Sequence, residues 1–290
     1  LERTVTIIIP VYNAADFVER AVRSAILQEG VKEIIIVDDG SKDNSLNLCL
    51  KLKELSQKIQ VHTHSEKNNK GLAATRNRAL EFATGDWIQL LDADDELLPG
   101  KIQSQLSKAD LEAPFIVGNS IDRFSGGRTY PRKYFTSPWI GLISGKLGIS
   151  TANLFNRKYV EMVGRFDSSL RTSEEYDLMF RIMKLGYFPK FDPAFLTYIH
   201  KTEGSLSRGK EHQEVLIKNW VNLRKQIKAY LESIGKFGLK EAYFYAGAVG
   251  SFLENFSLPL DSSISKPLFR LFKLEKRVKR LGHLFVKMIK

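Results

Sequence analysis

The segment Trp87-Ile88-Gln89-Leu90-Leu91-Asp92-Ala93-Asp94-Asp95 sets three carboxylates within four residues at the end of an apolar run. Like charges packed so closely repel one another, and burying them is costly unless a partner neutralises them. A hard divalent cation held by oxygen ligands is the natural partner, and substrate phosphates often complete its shell. The pattern therefore points to a metal–diphosphate site at the carboxyl end of a strand. The plain alternative is an acidic turn capping the next helix, because a short acidic motif is a weak signal by itself.

Several elements must position such a site. Val5-Thr6-Ile7-Ile8-Ile9 is β-branched and continuous, as a strand buried on both faces is, and Pro10 is expected to stop it. A helical pattern follows from Phe17 to Ile26. A second buried strand, Glu33–Val37, ends in Asp38-Asp39-Gly40-Ser41. Residues 44–56 read as a helix, 59–63 as a weaker strand, 71–83 as a helix and 87–91 as the next strand. This alternation predicts an α/β fold with a parallel sheet and helices on its faces. Ligands of such sheets sit beyond the carboxyl ends of the strands. Residues 10–13, 38–41 and 92–95 all fall there. Further along, 115–118 and 153–155 read as strands, and 122–150 as loops and short strands. Helices are expected at 159–163 and 174–185, and 188–199 reads as extended chain interrupted by Pro189 and Pro193. From about 211 the pattern is helical to the end.

The bulk composition is that of a packed globular protein, with 43% hydrophobic residues in a chain of 290. The one cysteine, Cys49, sits in an apolar pattern and is expected to be a buried structural thiol. It also precludes an intramolecular disulfide, which fits a reducing compartment. No apolar run has the length of a membrane span, and because a strand pattern begins almost at once, no secretory signal is expected within these residues, a segment removed before residue 1 staying open. The net charge is +11, and nine basic residues against one acid place +8 of it in residues 266–290.

The chain has neither a Gly-x-x-x-x-Gly-Lys-Ser/Thr loop nor a Gly-x-Gly-x-x-Gly turn. A diphosphate would need another holder, and a carboxylate-bound cation supplies one. Six motifs occur in order. They are Ile9-Pro10-Val11-Tyr12-Asn13, Val37-Asp38-Asp39-Gly40-Ser41, Asn69-Lys70-Gly71 with Arg76-Asn77, Gly85-Asp86-Trp87 with Asp92-Ala93-Asp94, Val163-Gly164-Arg165-Phe166-Asp167, and Glu174-Glu175-Tyr176-Asp177-Leu178 with Arg181. Over residues 4–208 the series resembles the family 2 glycosyltransferases. The resemblance implies a GT-A fold, a Rossmann-like, mostly parallel sheet flanked by helices, over residues 1–210. A C-terminal helical extension would cover 211–290. It also implies an inverting transfer from a UDP-sugar to a glycan hydroxyl, assisted by Mn2+ or Mg2+.

Carried over by that resemblance, Pro10 and Tyr12 line the base pocket and Asp39 accepts a hydrogen bond from uracil N3–H. Asp39 as a helix N-cap is the competing reading. Gly71 allows close backbone approach, though a plain turn glycine reads the same. Arg76 contacts the nucleotide, Asp92 reaches the ribose, Asp94 ligates the metal, and Asp95 caps a helix. The family usually has Glu-Asp where this chain has Glu174-Glu175. Glu175 is then the general base and Glu174 the fallback, while a helix first turn enriched in acids is the competing reading. Asp177 and Arg181 are expected to pair at i, i+4. His200 lies in a segment resembling one that closes the family's active site. It would approach the metal or diphosphate, with Ser205, Ser207 and Arg208 on a lid. Trp139 is a candidate sugar platform, or simple core.

In the tail, Leu268, Leu271, Leu274, Val278, Leu281, Phe285 and Met288 form one apolar stripe on a helix otherwise crowded with Lys and Arg. Such a helix suits an anionic membrane surface. It could equally dock on its own domain or form a homodimer seam. The expected setting is the cytoplasmic face of a membrane, with a lipid-linked glycan as acceptor. A sugar-phosphate nucleotidyltransferase is an alternative, but it would need a Gly-rich basic loop after the first strand. A nucleic-acid binder is another, but it would need aromatics interleaved with the basic residues of the tail. No nucleic acid partner is expected.

Overall fold

The computed structural model describes residues 3–66, 68–110, 112–201 and 213–288. The first half alternates β1 (Val5–Val11), α1 (Val18–Ile26), β2 (Val31–Asp38), α2 (Ser45–Leu52), β3 (Ile59–Thr63), α3 (Leu72–Leu80) and β4 (Trp87–Leu90). There follow β5 (Glu96–Leu97), α4 (Lys101–Leu106), β6 (Phe115–Phe124), β7 (Thr129–Arg132), α5 (Pro138–Ser144), β8 (Leu154–Asn156), α6 (Arg157–Met162), α7 (Glu174–Lys184) and β9 (Lys190–Lys201). Three helices end the chain, α8 (Gln213–Ser233), α9 (Leu239–Asn255) and α10 (Lys266–Met288).

One sheet runs β3-β2-β1-β4-β8-β6-β9-β5, with β7 added on β6. The first four strands are parallel. Beyond β4 the sheet turns mixed. β8 is antiparallel to β4 and β6, β9 is parallel to β6, and β5 is antiparallel to β9. The alternation of side chains along a strand divides the core between two faces. Ile7, Ile9, Ile34 and Ile36 meet α1, α2 and α4. Ile8, Ile35, Val37 and Leu90 meet α3 and α7, and the same cluster takes in Val221, Ile227 and Leu231 of α8 with Tyr245 and Val249 of α9. The helices after residue 211 thus share the sheet's core.

Several sequence expectations change here. Pro10 does not stop β1, which runs to Val11 with Pro10 opposite Val37. Ile8 accepts from the Leu91 N–H, so Pro10, two residues on, turns its missing N–H to the same side, where pairing with β4 has ended. Residues 122–150 include the end of a ten-residue β6 and the helix α5, which loop-like composition concealed. Pro193 is absorbed in β9 beside a register shift opposite Gly118 and Asn119. Cys49 is buried as expected, and burial together with Asp38 and Asp43 pushes its thiol up to about 12. Among the described residues, no helix is long and apolar enough to cross a membrane.

The largest difference concerns α10. It docks on α9 through Phe269 and Phe272, whose rings lie directly on the backbone at Gly250 and Gly247. A Cβ on either glycine would come within 2.6 Å of a ring carbon. Of the stripe read from sequence, Leu268 packs against the core, whereas Leu271, Leu274 and Val278 are exposed at 53%, 58% and 60%. Phe269→Ala is therefore expected to lower stability by about 3 kcal/mol, and Leu271→Ala by under about 0.5 kcal/mol. Urea unfolding measures both, and equal losses would mean that the leucine stripe carries the docking.

Candidate active site

Three segments meet at the carboxyl ends of the adjacent strands β2, β1 and β4. The first two are laced together. The Asn13 N–H donates to Ser41 Oγ at 3.0 Å, and Asn13 Oδ1 accepts from the Lys42 N–H at 2.8 Å. Asn13 has φ +48, a left-handed conformation that Asn tolerates better than most residues. Pro10 is buried in β1, and Tyr12 is half-buried just beyond it. Asp38 Oδ1 accepts from the Gly40 and Ser41 amides, which closes the turn after β2. Asp39 is only 3% exposed, and its two oxygens accept from the Lys70 and Gly71 amides at 2.7 and 3.0 Å. It therefore tethers the loop before α3, and any base contact must use its remaining lone pairs. Gly71 has φ +92, and a Cβ there would lie 3.1 Å from Arg171 Nη1. The close approach it permits is thus to a guanidinium at the rim of the site.

Arg76 does not reach out to a ligand. It is 1% exposed, donating to Asp92 Oδ1 at 2.8 Å and to Glu174 Oε1 at 2.7 Å. This bears on two expectations, Arg76 as a nucleotide contact and Glu174 as the fallback base. Arg76 is an internal clamp between α3, the acidic turn and α7, and Glu174, 3% exposed and paired, is unsuited to act as a base. Glu175, the next residue, is half-buried and makes no ion pair among the described residues. Burial and the neighbouring Glu174 raise its carboxyl to about 7, although Arg76 pulls the other way. Ser173, immediately before the pair, has φ +66, so a strained residue sets the entry to α7. Asp177 and Arg181 pair at 2.8 Å as expected.

The acidic turn divides its labour. Asp92 is one-third exposed, faces Arg76, and accepts from Ser150 Oγ at 3.3 Å. Asp94 is half-buried, and neither an ion pair nor a hydrogen bond from another residue engages its carboxylate among the described residues. Burial and Asp92 raise its pKa. Asp95 is no helix cap, since β5 follows it. It is 4% exposed, accepting from Thr151 Oγ1 at 2.9 Å and from the His200 N–H at 3.2 Å. The His200 ring stands 3.2 Å from Glu96, and burial followed by Arg20 lowers its pKa. Among the described residues, no three His, Cys, Asp or Glu side chains cluster as a ready metal site. The His200 ring, expected to approach the metal or diphosphate, meets Glu96 here. A divalent ion still fits, because Asp94 is a desolvated, unpaired oxygen donor beside a second carboxylate.

Trp139, read from sequence as a sugar platform or simple core, is half-buried in an aromatic cluster with Phe180, Phe188 and Tyr230, at centroid distances of 6.4, 6.0 and 5.6 Å. Ser205, Ser207 and Arg208 lie outside the described residues. The structure adds side chains that the sequence did not single out. Arg20 of α1 donates to the Asp94 carbonyl at 2.5 Å, while Ser150 and Thr151 brace the acidic turn from behind. Nothing in their spacing marked them, because each comes from a distant element.

Removing the clamp tests this geometry. Arg76→Met is expected to lower stability by about 3 kcal/mol or more, since it leaves Asp92 and Glu174 facing each other uncompensated. Glu174→Gln on that background should restore part of the loss. Urea titration of the single and double variants decides this, and additive losses would mean that the two residues are not coupled.

Glycosyl transferase family 2 matches the chain over residues 6–169. The succinoglycan biosynthesis protein ExoO of Rhizobium meliloti is 30% identical over 222 residues, which are 70% of this chain and 62% of that protein. ExoU of the same organism is 30% identical over 63% of this chain and 57% of its own length. The chain thus spans less than two thirds of either relative. Among solved structures, S. aureus TarS 1–349 in complex with UDP-GlcNAc superposes with a TM-score of 0.62 at 17% identity, over 91% of this chain and 82% of that one. The mannosyltransferase PcManGT from Pyrobaculum calidifontis, with GDP-Man and Mn2+, gives 0.60 at 17% identity, over 97% and 88%. With the GT-A architecture shared with these structures and a family match over more than half its length, the chain belongs to glycosyl transferase family 2.

Proposed function

We propose that the chain transfers a hexose or N-acetylhexosamine from a UDP-sugar to a hydroxyl of a glycan, by direct displacement with inversion. The observation that carries this reading is the unpaired Glu175 carboxylate with its pKa raised to about 7, beside a Glu174 neutralised by Arg76. A base with that affinity takes a proton from an acceptor hydroxyl near neutral pH. Pro10 and Tyr12 flank the base of the nucleotide, a remaining lone pair of Asp39 meets uracil N3–H, and the exposed part of Asp92 meets the ribose. Held by Asp94 and the donor's phosphates, Mn2+ or Mg2+ supplies Lewis-acid stabilisation of the departing diphosphate. The reading is tested with a panel of UDP-sugars in Mn2+, following UDP release with and without candidate acceptors. Failure of every UDP-sugar to bind at saturating Mn2+ would overturn it.

Glu175→Gln should retain UDP binding and lose transfer by a factor of about 100 or more. The wild-type transfer rate should rise with pH through about 7, as the base loses its proton. The same shift has a stability signature. The carboxyl is raised from 4.5 to about 7 on folding, so between those values the folded chain holds the extra proton. Stability attributable to this group therefore falls as pH rises across that window, and Glu175→Gln should flatten the fall. Urea midpoints of the two proteins at intervals from pH 4.5 to 7.5 would show it, and parallel curves would speak against a buried base.

We also infer that α10 rests on an anionic membrane at the cytoplasmic face, where a lipid-linked acceptor would be met. Leu271, Leu274 and Val278 are exposed on the side away from α9. Arg270 and Arg277 lie on the same helix, and each near-surface cation adds about 1 kcal/mol on such a bilayer. Liposomes containing phosphatidylglycerol should retain the wild type and release the Leu271→Ser/Leu274→Ser variant. Equal retention would remove this role.

A further inference from the structure

A strip of aromatic rings and ammonium groups leads away from the first turn of α7. Tyr176, the residue after Glu175, accepts the Leu147 N–H at 3.0 Å and donates to the Gly148 carbonyl at 2.7 Å. Lys146, just before that contact, is exposed, and its ammonium stands 4.8 Å from the centroid of Phe135. Phe135 meets Phe244 of α9 at 5.7 Å, Phe244 meets Tyr243 at 5.4 Å, and Tyr243 meets Phe272 of α10 at 5.4 Å. The Lys276 ammonium stands 5.2 Å over Phe272. Arg132, at the end of β7, and Lys279 border the strip.

The charge balance of this surface is one-sided. Arg132 and Lys201 share Asp122, at 3.4 and 3.3 Å. Glu275 is engaged by Lys279 and by the Tyr243 hydroxyl. Lys146 and Lys276 make no ion pair among the described residues. Desolvation of its ammonium against the neighbouring ring lowers the pKa of Lys146, although the residue as a whole is exposed, and Lys276, Arg132 and Lys279 push it the same way. Lys146, on the turn after α5, and Lys276, on α10, stand at the two ends of one chain of touching rings. An anion relieves the repulsion between like charges. Ammonium groups suit phosphate as point charges, and the intervening ring faces suit sugar rings. Lys276 lies on the α9 side of α10, away from the exposed leucines, so this strip is separate from the membrane-facing stripe.

We propose that the strip from Lys146 to Lys276 binds phosphate groups of the acceptor, which is a phosphate-bearing glycan. The phosphate belongs either to a diphosphate link to lipid or to phosphodiesters in the glycan itself. This rests on the reading of Glu175 as the base that meets the acceptor, because Tyr176, its neighbour in α7, is hydrogen-bonded to the turn that carries Lys146.

The test is a titration of the full chain and of Lys146→Ala/Lys276→Ala with five probes, and separately with UDP and Mn2+. The probes are farnesyl-diphosphate-linked N-acetylglucosamine, a glycerol-phosphate hexamer, a neutral methyl oligosaccharide, an oligoglucuronate and oligo-dT. One of the two phosphate probes is expected to bind, and which one names the source of the phosphate. Its Kd should weaken roughly tenfold in the double variant, while UDP binding stays unchanged. Lys146→Arg/Lys276→Arg should keep most of the affinity. Unchanged affinity in the alanine variant would overturn the proposal, as would tighter binding of oligoglucuronate or oligo-dT. UDP binding without binding of either phosphate probe would overturn it too. Lysine-dependent phosphate binding where UDP fails to bind would instead retain the strip and overturn the donor reading.

Discussion

The site depends on one buried guanidinium. Arg76, 1% exposed, sits between Asp92 and Glu174 and ties α3, the turn after β4 and the start of α7 into one unit. A fully buried charge survives only with compensation at close range, and one positive charge here faces two carboxylates. The local balance is therefore negative before Glu175 and Asp94 are counted. That deficit, added to burial, holds both of those carboxyls above their ordinary values. Both are therefore carboxyls that hold their protons more tightly than an exposed acid does.

The same clamp distributes roles between adjacent residues of like chemistry. Glu174 and Glu175 differ in sequence only by position, yet one points to Arg76 and the other is left unpaired. Asp92, Asp94 and Asp95 differ in the same way. The first faces Arg76, the second is open, and the third anchors β9 through the His200 amide and the turn at Thr151. Function in this region follows from which carboxylates the fold has already used.

The sheet explains how distant segments reach the site. Its parallel half brings the ends of β2, β1 and β4 side by side. Its mixed half brings β9 under the acidic turn and sets β6 and β7 at one flank. The C-terminal helices close the face of the sheet that carries α7, and side chains of α7, α8 and α9 share one core there. Arg224 of α8 is fully buried beside Tyr176, with burial lowering its pKa to about 10.

The sequence alone determined the alternation of strands and helices, the three loops at the strand ends, and the motif series. These are local matters. Continuous β-branched runs make buried strands wherever they stand, and acids crowded after a strand declare a need for charge compensation. Only the tertiary structure decided which acid is paired and which is free, because Arg76 meets Glu174 across 98 residues. It likewise placed Trp139 in an aromatic cluster and Asp95 in an anchor, neither of which spacing can distinguish from a site residue. It turned Leu271 and Leu274 of α10 outward, since the bare backbone at Gly247 and Gly250 takes the rings of Phe272 and Phe269 instead. Periodicity shows that a helix has an apolar face, but which face is buried depends on the shape of what it meets.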